Sequence, residues 1–212
     1  MSILQELSTV LQRGRLPKVK ELVEQAISEG INPNDILEDG LLKGMAVIGE
    51  KFKKNEVFIP EVMMAARAMN AGVELLRPLL ISAGASTKGT AVIGTVKGDL
   101  HDIGKNICKM MLEAKGLEVF DLGTDVTADT FIGKAIEHNA SVICCSALLT
   151  TTMSEMKNVI IKATEAGIRD KVTIMIGGAP VTQEFCDSIL ADYYTPDAAT
   201  CSEVALQACF KK

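Results

Sequence analysis

The chain has 212 residues, too many for one minimal domain and comfortable for one medium or two small ones. A net charge of −5, an aromatic content of 4% and no Trp exclude the clustered basic residues and stacking rings that nucleic acid requires. No apolar run is long enough to cross a bilayer, and the opening MSILQELSTVLQRGRLPK lacks a basic-then-apolar leader, so the expected location is the cytoplasm, with no membrane partner.

The first stretch, residues 1–82, reads as helices only. Apolar residues recur at three- and four-residue steps: Ile3, Leu7, Val10; Val19, Leu22, Val23, Ala26; Leu37, Leu41, Met45, Ile48, Phe52; and Val62, Ala66, Met69, Val73, Leu76, Leu80. Breaks at Gly14 to Pro17, Gly30 to Pro33 and Lys53 to Pro60 divide them into four segments, which predicts an all-α four-helix bundle with Met45, Met63, Met64 and Met69 in its core. The small, polar run at 83–89 has the composition of a linker.

From residue 90 to 212 the pattern changes. Short β-branched runs at 90–96, 117–123, 140–149, 171–178 and, more weakly, 192–197 alternate with helical stretches near 103–115, 128–138, 153–166, 183–191 and 198–210. Five such alternations predict a doubly wound α/β domain with a five-stranded parallel sheet, Rossmann- or flavodoxin-like, whose ligand site lies at the carboxyl ends of the strands. The six cysteines show no CxxC spacing and sit mostly in apolar segments, as reduced core thiols do.

Motifs stand where that fold puts a site. GTVKGDLHDIGKN follows the first strand, with Asp99, His101 and Gly104 in a D-x-H-x-x-G pattern. After Gly104, 41 residues precede Ser146-Ala147-Leu148, and 28 more precede Gly177-Gly178. Each element falls at the carboxyl end of a predicted strand. An imidazole ligates a metal well only when neutral and correctly oriented, and a carboxylate accepting the proton of its other nitrogen fixes both, so Asp99 and His101 form a candidate pair. Other readings stay open. Asp99 could only cap the next helix, Gly177-Gly178 could be a plain turn, and Thr150 to Thr152 could be an N-cap cluster. His138, in EHNAS, carries no motif and reads as a surface or capping residue.

These elements resemble the cobalamin-binding signature of methionine synthase, the cobalamin-dependent mutases and the corrinoid proteins of anaerobic methyl transfer. Taken with the helical half, the order of segments is similar across essentially the whole chain to the corrinoid proteins of methylamine, quaternary-amine and methanol methyltransferase systems, and SALLTTTM and GGAPVT are most similar to the amine branch. The resemblance implies a cobalamin cofactor, methylcobalamin or a related corrinoid, with His101 as the cobalt ligand in place of the cofactor's own base. It implies that Ser146 hydrogen-bonds the buried benzimidazole, that Leu148 belongs to the same cofactor-binding element, that Thr150 lines the channel and that Thr152 completes a His-Asp-hydroxyl relay. Gly94, Gly98, Gly104, Gly177 and Gly178 would leave room for that tail. Residues 1–82 would cap the upper face of cobalt and move aside for chemistry, with Phe58, Val62 and Met63 as cover. Leu190 stands where related proteins usually carry glycine.

The implied activity is that of a methyl carrier in one-carbon metabolism, not a catalyst alone. It would take a methyl group on Co(I) from a substrate-specific methyltransferase and pass it to a second methyltransferase acting on tetrahydrofolate or a thiol, with a reductive activase as a further partner. The alternatives are a cobalamin-binding mutase subunit, a cobalamin-dependent regulator or, on fold alone, a flavin or nicotinamide protein.

Overall fold

The computed structural model describes residues 2–82 and 87–210, so residues 83–86 of the predicted linker lie outside the described residues. The chain divides into two compact units, Met1–Ser86 and Thr87–Lys212.

The first unit is helical. Helix α1 (Ile3–Gln12) opens with a capping box in which Ser2 accepts from the Gln5 N–H. Helix α2 (Leu16–Ser28) carries Pro17 in its first turn, where the missing N–H costs nothing. A third rod runs through α3 (Pro33–Asp35), a π-helical stretch (Ile36–Leu42) and α4 (Lys43–Lys53), and α5 (Ile59–Ser82) closes the unit. Gly14 turns α1 into α2 at φ +61, and a Cβ there would lie 2.5 Å from the Cβ of Met64. The stripe residues Leu7, Val19, Leu22, Val23, Ala26, Leu41, Met45, Ile48, Val62, Ala66, Met69 and Leu76 are buried. Two expectations differ. Ile36, not Leu37, is buried with Leu41, because the i→i+5 π turn puts residues five apart on one face. Met64 is 49% exposed and so lies outside the core that Met45 and Met69 share.

The second unit is a doubly wound sheet. Strands β1 (Thr90–Thr95), β2 (Glu118–Asp121), β3 (Val142–Ser146), β4 (Thr173–Gly177) and β5 (Tyr193–Tyr194) are all parallel, in the order β2-β1-β3-β4-β5. Helices α6 (Ile103–Ala114), α7 (Ala128–Glu137), α8 (Ser154–Glu165), α9 (Gln183–Ile189) and α10 (Ala198–Phe210) connect and flank them. Alternate strand residues face opposite layers. Val92, Ile143, Cys145, Ile174 and Ile176 pack with α7, α8 and α9, whereas Ala91, Ile93, Val142, Cys144 and Met175 pack with α6 and α10. Strand order reverses between β1 and β3, so the loops that follow these two strands diverge and leave a crevice at their carboxyl ends. No helix among the described residues is long and apolar enough to cross a membrane.

Candidate functional site

The crevice is built around one carboxylate. After β1 the chain makes a tight turn in which the Asp99 N–H donates to the Val96 carbonyl, and Gly98 takes φ +80 as such a turn requires. The turn delivers Asp99 to a fully buried position below the loop after β3. Its Oδ1 accepts from the His101 N–H at 3.1 Å and meets His101 Nδ1 at 2.7 Å. Its Oδ2 accepts from the Leu148 N–H at 2.8 Å, the Leu149 N–H at 3.1 Å and the Thr152 hydroxyl at 3.0 Å. Burial alone would push this carboxyl up, but the hydrogen bonds from His101, Leu148 and Leu149 outweigh it and hold Asp99 well below the ordinary carboxylate range. An ionised carboxylate only accepts, so the His101 proton sits on Nδ1 and Nε2 keeps its lone pair.

Thr152 has one hydroxyl proton and two acceptors, Asp99 Oδ2 and the Leu149 carbonyl at 2.9 Å. The His101 side chain is 52% exposed, and its carbonyl accepts from the Thr95 hydroxyl at 2.8 Å. The capping readings of Asp99 and Thr152 do not describe this structure: the N-caps of α6 and α8 are Asp102 and Met153, and neither helix has a side-chain cap bond.

The other predicted site residues divide by surroundings. Leu148 joins the crevice through its backbone, and its side chain is partly exposed together with Leu149, Leu100 and Ile103. Four apolar side chains thus stand in water around one imidazole, where a monomeric surface rarely gathers them. Ser146 pairs in register with Thr95 and Gly177 on the sheet face turned to α6 and α10. Thr150 is exposed. Gly178, at φ +135, passes so close to the β3 loop that a Cβ would lie 1.8 Å from the Ala147 carbonyl oxygen. Beside Gly104 there is open space. At Gly94 a Cβ would meet Phe131 at 2.8 Å, so the missing side chain makes room for a core ring on the face turned to α7 and α8. In the helical unit Phe58 is exposed and Val62 is fully buried. Leu190 is the left-handed C-cap of α9, φ 62, with its side chain mostly in solvent. His138 caps α7 and stacks on Phe120 at 3.6 Å between ring centroids.

Two supports of the crevice were not foreseen from sequence. Asp125, at φ 56, accepts from the Gly98 N–H at 2.7 Å and returns its own N–H to the Asp99 carbonyl at 3.0 Å, clamping the turn on both sides. Lys105, 3% exposed in the first turn of α6, pairs with Asp121 at 2.6 Å. A cation there opposes the helix dipole, and that conflict was the available signal for a buried partner.

Residues 89–204 match the B12 binding domain, and residues 3–77 match a second B12 binding domain. The chain belongs to the B12-binding corrinoid proteins. It is 42% identical over 208 residues to a corrinoid protein of Desulfitobacterium hafniense, covering 97% of this chain and 96% of that one. It is 46% identical over 197 residues to the dimethylamine corrinoid protein of Methanosarcina barkeri, covering 92% of each. Among solved structures, the methanol:cobalamin methyltransferase complex MtaBC of Methanosarcina barkeri superposes with a TM-score of 0.89 at 33% identity, over 99% of this chain and 80% of that one. A corrinoid protein binds cobalamin or a related corrinoid, and the residues present fit that group. Cobalt takes a neutral imidazole nitrogen, which Nε2 of His101 offers, and the exposed apolar side chains around it suit a broad, largely apolar ring.

Proposed function

We propose that this corrinoid protein is a methyl carrier of a methylamine-type methyltransferase system, with residues 90–212 holding the corrinoid. Its dimethylamine relative supports the amine reading over methanol or methoxy donors. The bound corrinoid supplies the cobalt that accepts and releases the methyl group. The protein supplies position and a proton. His101 presents Nε2 as the metal ligand while Asp99 holds the proton on Nδ1. Donors from His101, Leu148, Leu149 and Thr152 surround both oxygens of Asp99, so the carboxylate is held as an acceptor toward the Nδ1 side of His101. Thr152 fixes the second oxygen of Asp99.

The saturated Asp99 carboxylate carries this reading, because an ordinary helix cap would need neither burial nor five donors. The proposed partners are a substrate-specific methyltransferase, a second methyltransferase acting on tetrahydrofolate or a thiol, and a reductive activase. The decisive experiment mixes reduced, corrinoid-loaded protein with dimethylamine and a dimethylamine methyltransferase. The expected result is one methyl group gained per protein, by mass spectrometry, and its release to a thiol when a second methyltransferase is added. No methyl gain with mono-, di- or trimethylamine and their enzymes would overturn the amine assignment.

A further inference from the structure

Asp125 is an exposed residue in a left-handed conformation, φ 56, on the loop between β2 and α7. That conformation costs energy in a residue with a Cβ, and it persists where the surroundings demand it. Here the demand is on the turn after β1. Oδ1 of Asp125 accepts from the Gly98 N–H at 2.7 Å, 27 positions away in the chain, and its own N–H donates to the Asp99 carbonyl at 3.0 Å. Only the backbone dihedrals of Gly98 and Asp99 lie between those two atoms, and Gly98, at φ +80, has the most conformational freedom to lose. The two bonds therefore fix the stretch that carries the Asp99 side chain. The same loop fixes Thr95, whose N–H donates to the Gly123 carbonyl and whose carbonyl accepts from the Val126 N–H, both at 3.0 Å, while its hydroxyl holds the His101 carbonyl at 2.8 Å.

Leu148, Leu149 and Thr152 hold the Asp99 carboxylate itself, whereas Asp125 holds the backbone from which it springs. We propose that Asp125 is a positioning residue for the cobalt ligand: through the Gly98–Asp99 turn it keeps the Asp99 carboxylate against His101 Nδ1, and so keeps Nε2 presented to cobalt. The step to cobalt rests on the reading of His101 as its ligand; the effect on the Asp99–His101 pair does not. The side chain acts as a hydrogen-bond acceptor and not as a charge, so an amide serves in its place. Two substitutions separate these parts. Asp125→Gly keeps the left-handed backbone and the N–H bond to Asp99 but removes the acceptor for Gly98. Asp125→Asn keeps both bonds, in a conformation that asparagine tolerates, and removes only the charge.

The test labels the full chain with nitrogen-15 histidine, which reports on His101 and His138 alone. Corrinoid-free protein is read by NMR in alkaline buffer, where a free imidazole is neutral. In Asp125→Gly the ratio of the Nδ1–H to the Nε2–H form of His101 should fall about fivefold, the worth of one net hydrogen bond, while Asp125→Asn stays within about twofold of wild type. His138 should be unchanged in both. The same proteins are then loaded with hydroxocobalamin, reduced to Co(II) and read by electron paramagnetic resonance. The ratio of histidine-ligated to unligated cobalt should fall about fivefold in Asp125→Gly and be restored in Asp125→Asn. An unchanged ratio in Asp125→Gly by either method, an Asn variant that behaves like the Gly variant, or a change shared by His138 would overturn the proposal. A wild-type Co(II) spectrum without histidine nitrogen would fall instead on the ligand assignment, since the corrinoid-free measurement does not depend on it.

Discussion

The two units bury different things. Among the described residues the buried polar and charged side chains are Thr95, Asp99, Lys105, Thr152, Thr173, Thr195 and Ser202, and every one belongs to the sheet unit. The helical unit buries apolar side chains and glycines, with Gly40 and Gly44 letting α1 approach closely: a Cβ at Gly40 would lie 2.6 Å from Leu7 and one at Gly44 2.9 Å from the Ser8 carbonyl. Burying a polar group is costly unless its bonds are satisfied, and no buried side-chain polar atom among the described residues lacks a partner. The interior of the first unit is held by apolar packing. The second keeps a charge in its interior, and Thr95, Asp99 and Thr152 all converge on His101 or its loop. Buried polarity therefore marks the functional unit, and removing it should cost the protein differently from removing apolar bulk.

The largest effect is expected at that charge. Asp99→Ala leaves buried donors without an acceptor and should destabilise the sheet unit by about 3–5 kcal/mol, as for breaking other buried charge networks; denaturant unfolding within about 1 kcal/mol of wild type would show that the carboxylate is dispensable to the fold. Asp99→Asn sharpens the point through pH. Because the native pKa lies below the ordinary 3.8, the contribution of Asp99 is fully present above that value and is lost as pH falls toward and through the native pKa. The stability gap between wild type and Asp99→Asn should therefore narrow as pH drops below about 4, and a gap that widens there would reverse the sign.

Leu7→Ala tests the other unit. It removes a fully buried side chain facing Gly40 and should cost about 2–5 kcal/mol by calorimetry while leaving corrinoid affinity within twofold of wild type. A tenfold loss of affinity would tie the helical core to the site and break the contrast. The smallest effect should be favourable. Leu190 holds a left-handed conformation with its side chain in water, so Leu190→Gly removes strain without losing packing. After the entropy that glycine adds to the unfolded chain, a net gain of about 0.5–1 kcal/mol is expected in the unfolding free energy.

Much of this was legible in the sequence because period and punctuation agree with tertiary structure. The runs at 90–96, 140–149 and 171–178 enclose β1, β3 and β4, and the helix read at 198–210 coincides with α10. The phase error at Ile36 arose because a 3.6-residue period cannot anticipate an i→i+5 turn. At the crevice, D-x-H showed the Asp99–His101 pair but not the donors Leu148 and Leu149, which are 49 and 50 residues away and meet Asp99 only once β1 and β3 are neighbours. The neighbour of Gly94, Phe131 of α7, was hidden for the same kind of reason: which face a strand glycine opens depends on the alternation along β1. Asp125 left no signal, since an aspartate in a loop after a strand is commonplace until the turn at Gly98 is built against it.

The central claim is that Asp99 holds the Nδ1 proton so that His101 presents Nε2 to cobalt. It is tested most directly by electron paramagnetic resonance of the Co(II) form, prepared once with natural-abundance histidine and once with nitrogen-15 histidine. The account predicts a superhyperfine pattern that changes from three lines to two with the isotope in the wild type and is lost in His101→Ala, with His138→Ala behaving as wild type. A spectrum indifferent to the isotope, with corrinoid bound at full occupancy, would contradict it.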